Sequence, residues 1–167
     1  NGEIIIYKCD YEKNAFTNVG SFSEHDDYCN SISLSPNILT TGLFASLSDK
    51  GKLILAKMNI ISNTQVKFDV IKIFPFEDKK HYNRGDLKKI DWSYDGNMII
   101  SVDHNFIQTN KIIHARLIFL NDIENSQVLI GHVSSILIAK FSSCNYQYGT
   151  NVFQLLVTCD RSSDLKI

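Results

Sequence analysis

The chain has 167 residues, 44% of them hydrophobic, enough for one globular domain with a real core. Its formal net charge of −1 excludes electrostatic capture by the whole surface, so no strong direct nucleic-acid binding and no membrane partner is expected. Cys9, Cys29, Cys144 and Cys159 form no Cys-x-x-Cys pair and no apolar run is long enough to span a membrane, so a soluble cytosolic or nuclear protein with reduced thiols, some of them buried, is expected.

In chain order the first residues, NGEIIIYK, lack an initiating Met and read as the middle of a strand, which points to a trimmed chain or a piece of something longer. Targeting signals would then lie outside this span. Strand-like runs follow at EIIIYK (3–8), NSISLS (30–35), LFASLS (43–48), KLILAKM (52–58), VIKIF (70–74), KIDWS (89–93) and MIISV (98–102). They continue at HARLIFL (114–120), SQVLI (126–130), ILIAKF (136–141) and FQLLVTC (153–159). No 3.6-residue apolar stripe runs beyond two turns, so the expected class is all-β. KLILAKM and ILIAKF are apolar on both faces, a pattern that belongs to strands covered above and below by stacked sheets.

Within LKKIDWSYDGNMIISVDH (87–104), Ile90 and Trp92 share one face of the first arm, and Ile100 and Val102 share one face of the second. Asp95-Gly96 between them predicts a tight two-residue hairpin turn with positive φ at both central positions. Trp92, the only tryptophan, is expected in the core. Similar units begin at YCNSISLSPN and SILIAKFSSCN: an apolar strand ending in Ser, a turn, a second strand ending near Ser or Thr, and an Asp close by. His25 precedes the first of these and His132 the last. The units recur at roughly 50 residues, against about 40–45 for the repeat of a β-propeller blade.

These residues resemble WD-repeat β-propellers. The matches are Gly131-His132, Trp92-Ser93-Tyr94-Asp95-Gly96, Phe141-Ser142 and Leu34-Ser35-Pro36. Lys50 stands where the family's turn Asp is expected, and Ala56 where its terminal Trp is expected. The resemblance implies a propeller fragment of about three four-stranded antiparallel blades, with a closing strand at 3–8 and blades at about 18–60, 66–122 and 126–167. It also implies a buried structural network of His132, Thr158 and Asp160, with Asp164 a rival for the carboxylate and His25 in the equivalent histidine place. Such a network holds turns together and does not activate a substrate.

From Leu87 onward the order also resembles the HIR/HIRA histone-chaperone propeller, with Ala139-Lys140-Phe141 and Asp160-Arg161-Ser162 as local matches. That implies a nuclear, non-enzymatic subunit acting in replication-independent nucleosome assembly and transcription regulation, with histones and chromatin-assembly proteins as partners. A generic WD-repeat adaptor in trafficking, ubiquitin ligation or signalling is the alternative, cytoplasmic if so, and a propeller enzyme comes after it.

Neither catalytic nor cofactor residues are expected. His25-Asp26-Asp27 are neighbours in extended chain and point apart; Asp103-His104 meets the same objection and is assigned to the loop after MIISV. No set of three or four ligands has metal-site spacing, and no phosphate loop is visible. EDKKHYNRGDLKK (77–89) places Lys79, Lys80, Arg84, Lys88 and Lys89 around Tyr82, a candidate partner-binding loop whose plainer reading is a solvated connection.

Overall fold

The computed structural model describes residues 2–74, 89–103, 114–129, 131–132, 136–160 and 165–166. Within them the chain is all-β, built from antiparallel sheets, with a single four-residue helical turn, α1 (Ile38–Thr41). A hairpin of β1 (Ile4–Asp10) and β2 (Ala15–Phe22) comes first. A four-stranded sheet follows, in the order β3 (Cys29–Leu34), β4 (Leu43–Ser48), β5 (Leu53–Ser62) and β6 (Gln65–Phe74). The next sheet is β7 (Lys89–Trp92), β8 (Met98–Asp103), β9 (His114–Phe119) and β10 (Asp122–Leu129). In the last, β11 (Ile136–Phe141) pairs with β14 (Leu156–Asp160), and β14 with β15 (Leu165–Lys166). A small hairpin, β12 (Tyr146–Tyr148) and β13 (Asn151–Phe153), is inserted between β11 and β14.

The strands alternate in a way that leaves both sheet faces apolar, so the sheets stack. Along β5, Leu53 and Leu55 join Ala45, Leu47 and Phe74 against Ile90, Trp92, Ile99 and Ile118 of the next sheet. The intervening Ile54 and Ala56 turn the other way, onto Phe22 and Phe44 beside the β1–β2 hairpin. Phe22, Phe44 and Phe68 meet there with ring centroids 5.3 to 6.0 Å apart, in tilted and edge-on geometry. On the far side of β8, Ile100, Val102 and Ala115 pack on Ile136 and Ala139. Each of the buried leucine, isoleucine and valine side chains contributes about 1.5–3 kcal/mol by leaving water. The expected stacking of two-faced sheets is therefore present, and Trp92 is in the core at 6% exposure. ILIAKF is less covered than its composition suggests, since Ile138 is 50% exposed.

Several expectations change. The run expected as a closing strand at 3–8 is β1, after which the chain turns back through Asn14, whose φ is +47°, and pairs with it as β2, a strand the sequence reading does not contain. The division expected between residues 60 and 66 falls inside one sheet, because β5 and β6 pair from Leu53↔Phe74 to Ser62↔Gln65. Asp103, assigned to a loop, closes β8 opposite His114; His104 lies outside the described residues. The Asp95-Gly96 turn is not the expected two-residue turn. Gly96 N–H donates to Ser93 O and Ser93 N–H to Met98 O, so the loop spans Tyr94 to Asn97, and of the Asp95-Gly96 pair Gly96 alone has positive φ, +74°. A longer loop wins because Asp95 folds it from within, accepting from Ser93 Oγ at 2.7 Å and from Asn97 N at 3.0 Å. Partial burial opposes the charge on Asp95, but the bonds from Ser93, Asn97 and Gln154 hold its carboxyl below the usual carboxylate range.

The thiols are free, as expected, but none is fully buried: Cys9 and Cys144 are exposed, Cys29 and Cys159 half-buried. Burial pushes the Cys29 thiol up, towards the inert neutral form.

Candidate functional site

Among the described residues two histidines, His25, which is buried, and His132, whose side chain is buried, bond to hydroxyls within the sheets. His132 lies just ahead of β11, and its Nε2 is 2.7 Å from Thr158 Oγ1 on β14. Its Nδ1 is 3.1 Å from Asp160 Oδ2, with the two side chains 6% and 0% exposed. The contact is close enough for an ion pair although its angle is poor for a hydrogen bond. Thr158 and Asp160 reach one histidine because positions i and i+2 of a strand share a face. Of the two carboxylates considered for this place, Asp160 occupies it; Asp164 lies outside the described residues.

His25 lies ahead of β3 and is 4% exposed. Its Nε2 meets Ser46 Oγ on β4 at 2.7 Å. Ser46 was not anticipated from the sequence; Ser48 follows it at the spacing by which Asp160 follows Thr158. Ser48 is fully buried, and its Oγ accepts from Lys52 N at 3.2 Å. Burial first, and the nearby Lys52 ammonium second, lower the pKa of His25. Asp26 is turned outward, 69% exposed, 3.6 Å from Lys52 Nζ, and Asp27 accepts from the Tyr28 N–H, so the two carboxylates do not converge on the imidazole.

The first strands of the three larger sheets, β3, β7 and β11, lie side by side, and polar groups tie them. Trp92 Nε1–H donates to Ser33 O at 2.9 Å. Asp91 accepts from Lys140 Nζ at 2.7 Å and from Phe141 N at 2.9 Å. Asn37 Nδ2 donates to Asp95 O at 2.8 Å. Where these strands end, Leu34, Pro36, Tyr94, Lys140 and Ser143 border an open cavity of about 340 Å³. Leu34 and Tyr94 are more than half exposed there.

Of the basic loop expected to meet a partner, Lys79, Lys80, Tyr82, Arg84 and Lys88 lie outside the described residues; Lys89 opens β7 with its side chain exposed. Arg161 and Ser162 lie outside them too. Among the described residues no group of three His, Cys, Asp or Glu side chains could hold a metal ion. No protein-family model matches the chain, and no curated protein matches its sequence.

Proposed function

We propose that the chain is part of a WD-repeat β-propeller and works as a non-enzymatic scaffold that binds other proteins. The observation that carries this is the recurrence of one buried pair, an imidazole ahead of a sheet bonded at 2.7 Å to a hydroxyl on a later strand, at His25–Ser46 and at His132–Thr158. Both imidazoles hold a turn against its sheet, and the burial of their side chains favours a structural role over a catalytic one. The side-by-side first strands β3, β7 and β11, with apolar layers between consecutive sheets, support blades set around an axis.

Trp92-Ser93-Tyr94-Asp95-Gly96, Gly131-His132, Ala139-Lys140-Phe141 and Asp160-Arg161-Ser162 direct the proposal further, to a nuclear HIR/HIRA-like subunit of a histone-chaperone complex. Its partners would be histones and chromatin-assembly proteins, met through the rims and the basic sequence 77–89.

Crosslinking in native cells, purification of the full-length protein and mass spectrometry of what comes with it is the test. Co-purifying histones and chromatin-assembly subunits are the expected result. Coat, ubiquitin-ligase or signalling components instead would overturn the chaperone assignment and leave a general adaptor; a protein that carries no partner at all would overturn the scaffold.

A further inference from the structure

His25 and His132 occupy matching places and make matching bonds through Nε2, yet their second ring nitrogens differ. His132 Nδ1 has the Asp160 carboxylate 3.1 Å away. At the position matching Asp160, the His25 sheet carries Ser48; both Nδ1 atoms are buried without a hydrogen-bond partner, but His25 Nδ1 lacks the neighbouring carboxylate as well. A neutral imidazole accepts this arrangement at modest cost, because only one ring nitrogen carries hydrogen. A protonated ring carries hydrogen on both, and a buried N–H cation with no acceptor loses its hydration without replacement.

The charges around His25 do not repair this. Lys52, from the turn between β4 and β5, donates to Glu24 O at 2.6 Å and opposes a second cation beside it. Glu24 and Asp26, on the histidine's own segment, favour the cation, but both are exposed, and Asp26 is drawn to Lys52 and towards Lys50. Asp27 is committed to the Tyr28 N–H, and Asp49 accepts from Asn30 Nδ2 while its N–H bonds Tyr28 O at 2.7 Å. The segment also props the start of the chain: a Cβ on Gly2 would fall 2.7 Å from His25 Cβ.

We propose that residues 23–28 form an acid-released latch, in which uptake of one proton by His25 breaks its bond with Ser46 and frees the segment from the β3–β6 sheet. The His132 turn, backed by a carboxylate, stays closed under the same conditions. One proton per opening limits the response to about tenfold per pH unit. Release would loosen the chain around Gly2 as well, so β1 responds with the latch.

Amide hydrogen exchange of the whole chain between pH 7.5 and 5.0, corrected for the intrinsic rate, tests this. Protection at Asp49, whose N–H bonds Tyr28 O, should fall several-fold per pH unit on the acid side, while Thr158 and Cys159 keep theirs. Ser48→Asp supplies the missing acceptor and should flatten the response. His25→Gln, which keeps an amide for Ser46 and cannot take up the proton, should flatten it without a new charge, so a poorly folding Ser48→Asp leaves the test intact. Constant protection of Asp49 in the native chain, or an unchanged acid response in His25→Gln, overturns the latch.

Discussion

Replacing Asp91 by alanine should destabilise the chain by about 2–3 kcal/mol, most of it traceable to one backbone N–H. The carboxylate holds two donors across the boundary between β7 and β11: Lys140 Nζ at 2.7 Å and Phe141 N at 2.9 Å. The lysine side chain is 62% exposed while Asp91 is 16% exposed, so solvent screens the ion pair and it is worth about 0–1 kcal/mol. Phe141 is half-buried, and its N–H bond to a charged acceptor is worth about 1.5–3 kcal/mol. Three variants separate the two contributions. Lys140→Met keeps the aliphatic stem and removes the ammonium, and should cost less than about 1 kcal/mol. Asp91→Asn keeps one oxygen for Phe141 N and should fall between it and Asp91→Ala. Urea unfolding followed by far-ultraviolet circular dichroism measures all three, and the slope against urea should not change. A Lys140→Met variant as unstable as Asp91→Ala would refute the assignment, because the ion pair would then be the stronger tie.

Thr158→Val removes only the hydroxyl from His132 Nε2, leaving a buried ring nitrogen unpaired, and should lower stability by about 1–3 kcal/mol in the same urea experiment; a neutral result would mean that Asp160 alone holds the ring. Gly96→Ala should cost about 1–2 kcal/mol, because Gly96 has a φ of +74° and an added Cβ would fall 2.8 Å from Asn37 Nδ2, disturbing the Asn37 bond to Asp95 O. An unchanged midpoint would show that the loop relaxes freely. Replacing residues 145–153 by two glycines should shift stability by less than about 1 kcal/mol, since Tyr148 and Val152 are 81% and 64% exposed and the Ser142–Leu155 bonds close the base of the insertion. A larger loss would mean that this hairpin supports the sheets.

What could be read from the sequence follows from how locally each feature is encoded. KLILAKM announces a two-faced strand because four successive buried residues, Leu53 to Ala56, leave no alternative to cover on both sides. His132, Thr158 and Asp160 were legible because they sit on motif positions, and Trp92 because alternation aims it inward. β2 was missed: AFTNVGSF breaks its apolar residues into short pieces, with Val19 and Phe22 its buried ones, and its strand character comes from pairing with β1. The start of β6, QVKFD, is exposed at alternate positions and is likewise held by β5.

The single indole of Trp92 lies in the layer between two sheets, with its N–H bonded to a carbonyl of the neighbouring sheet. Its emission therefore reports the docking of one sheet on another rather than the formation of strands. Separation of the sheets would move that emission to longer wavelength even if every hairpin stayed paired. Comparing it with circular dichroism through an unfolding transition distinguishes a chain that comes apart sheet by sheet from one that melts as a unit.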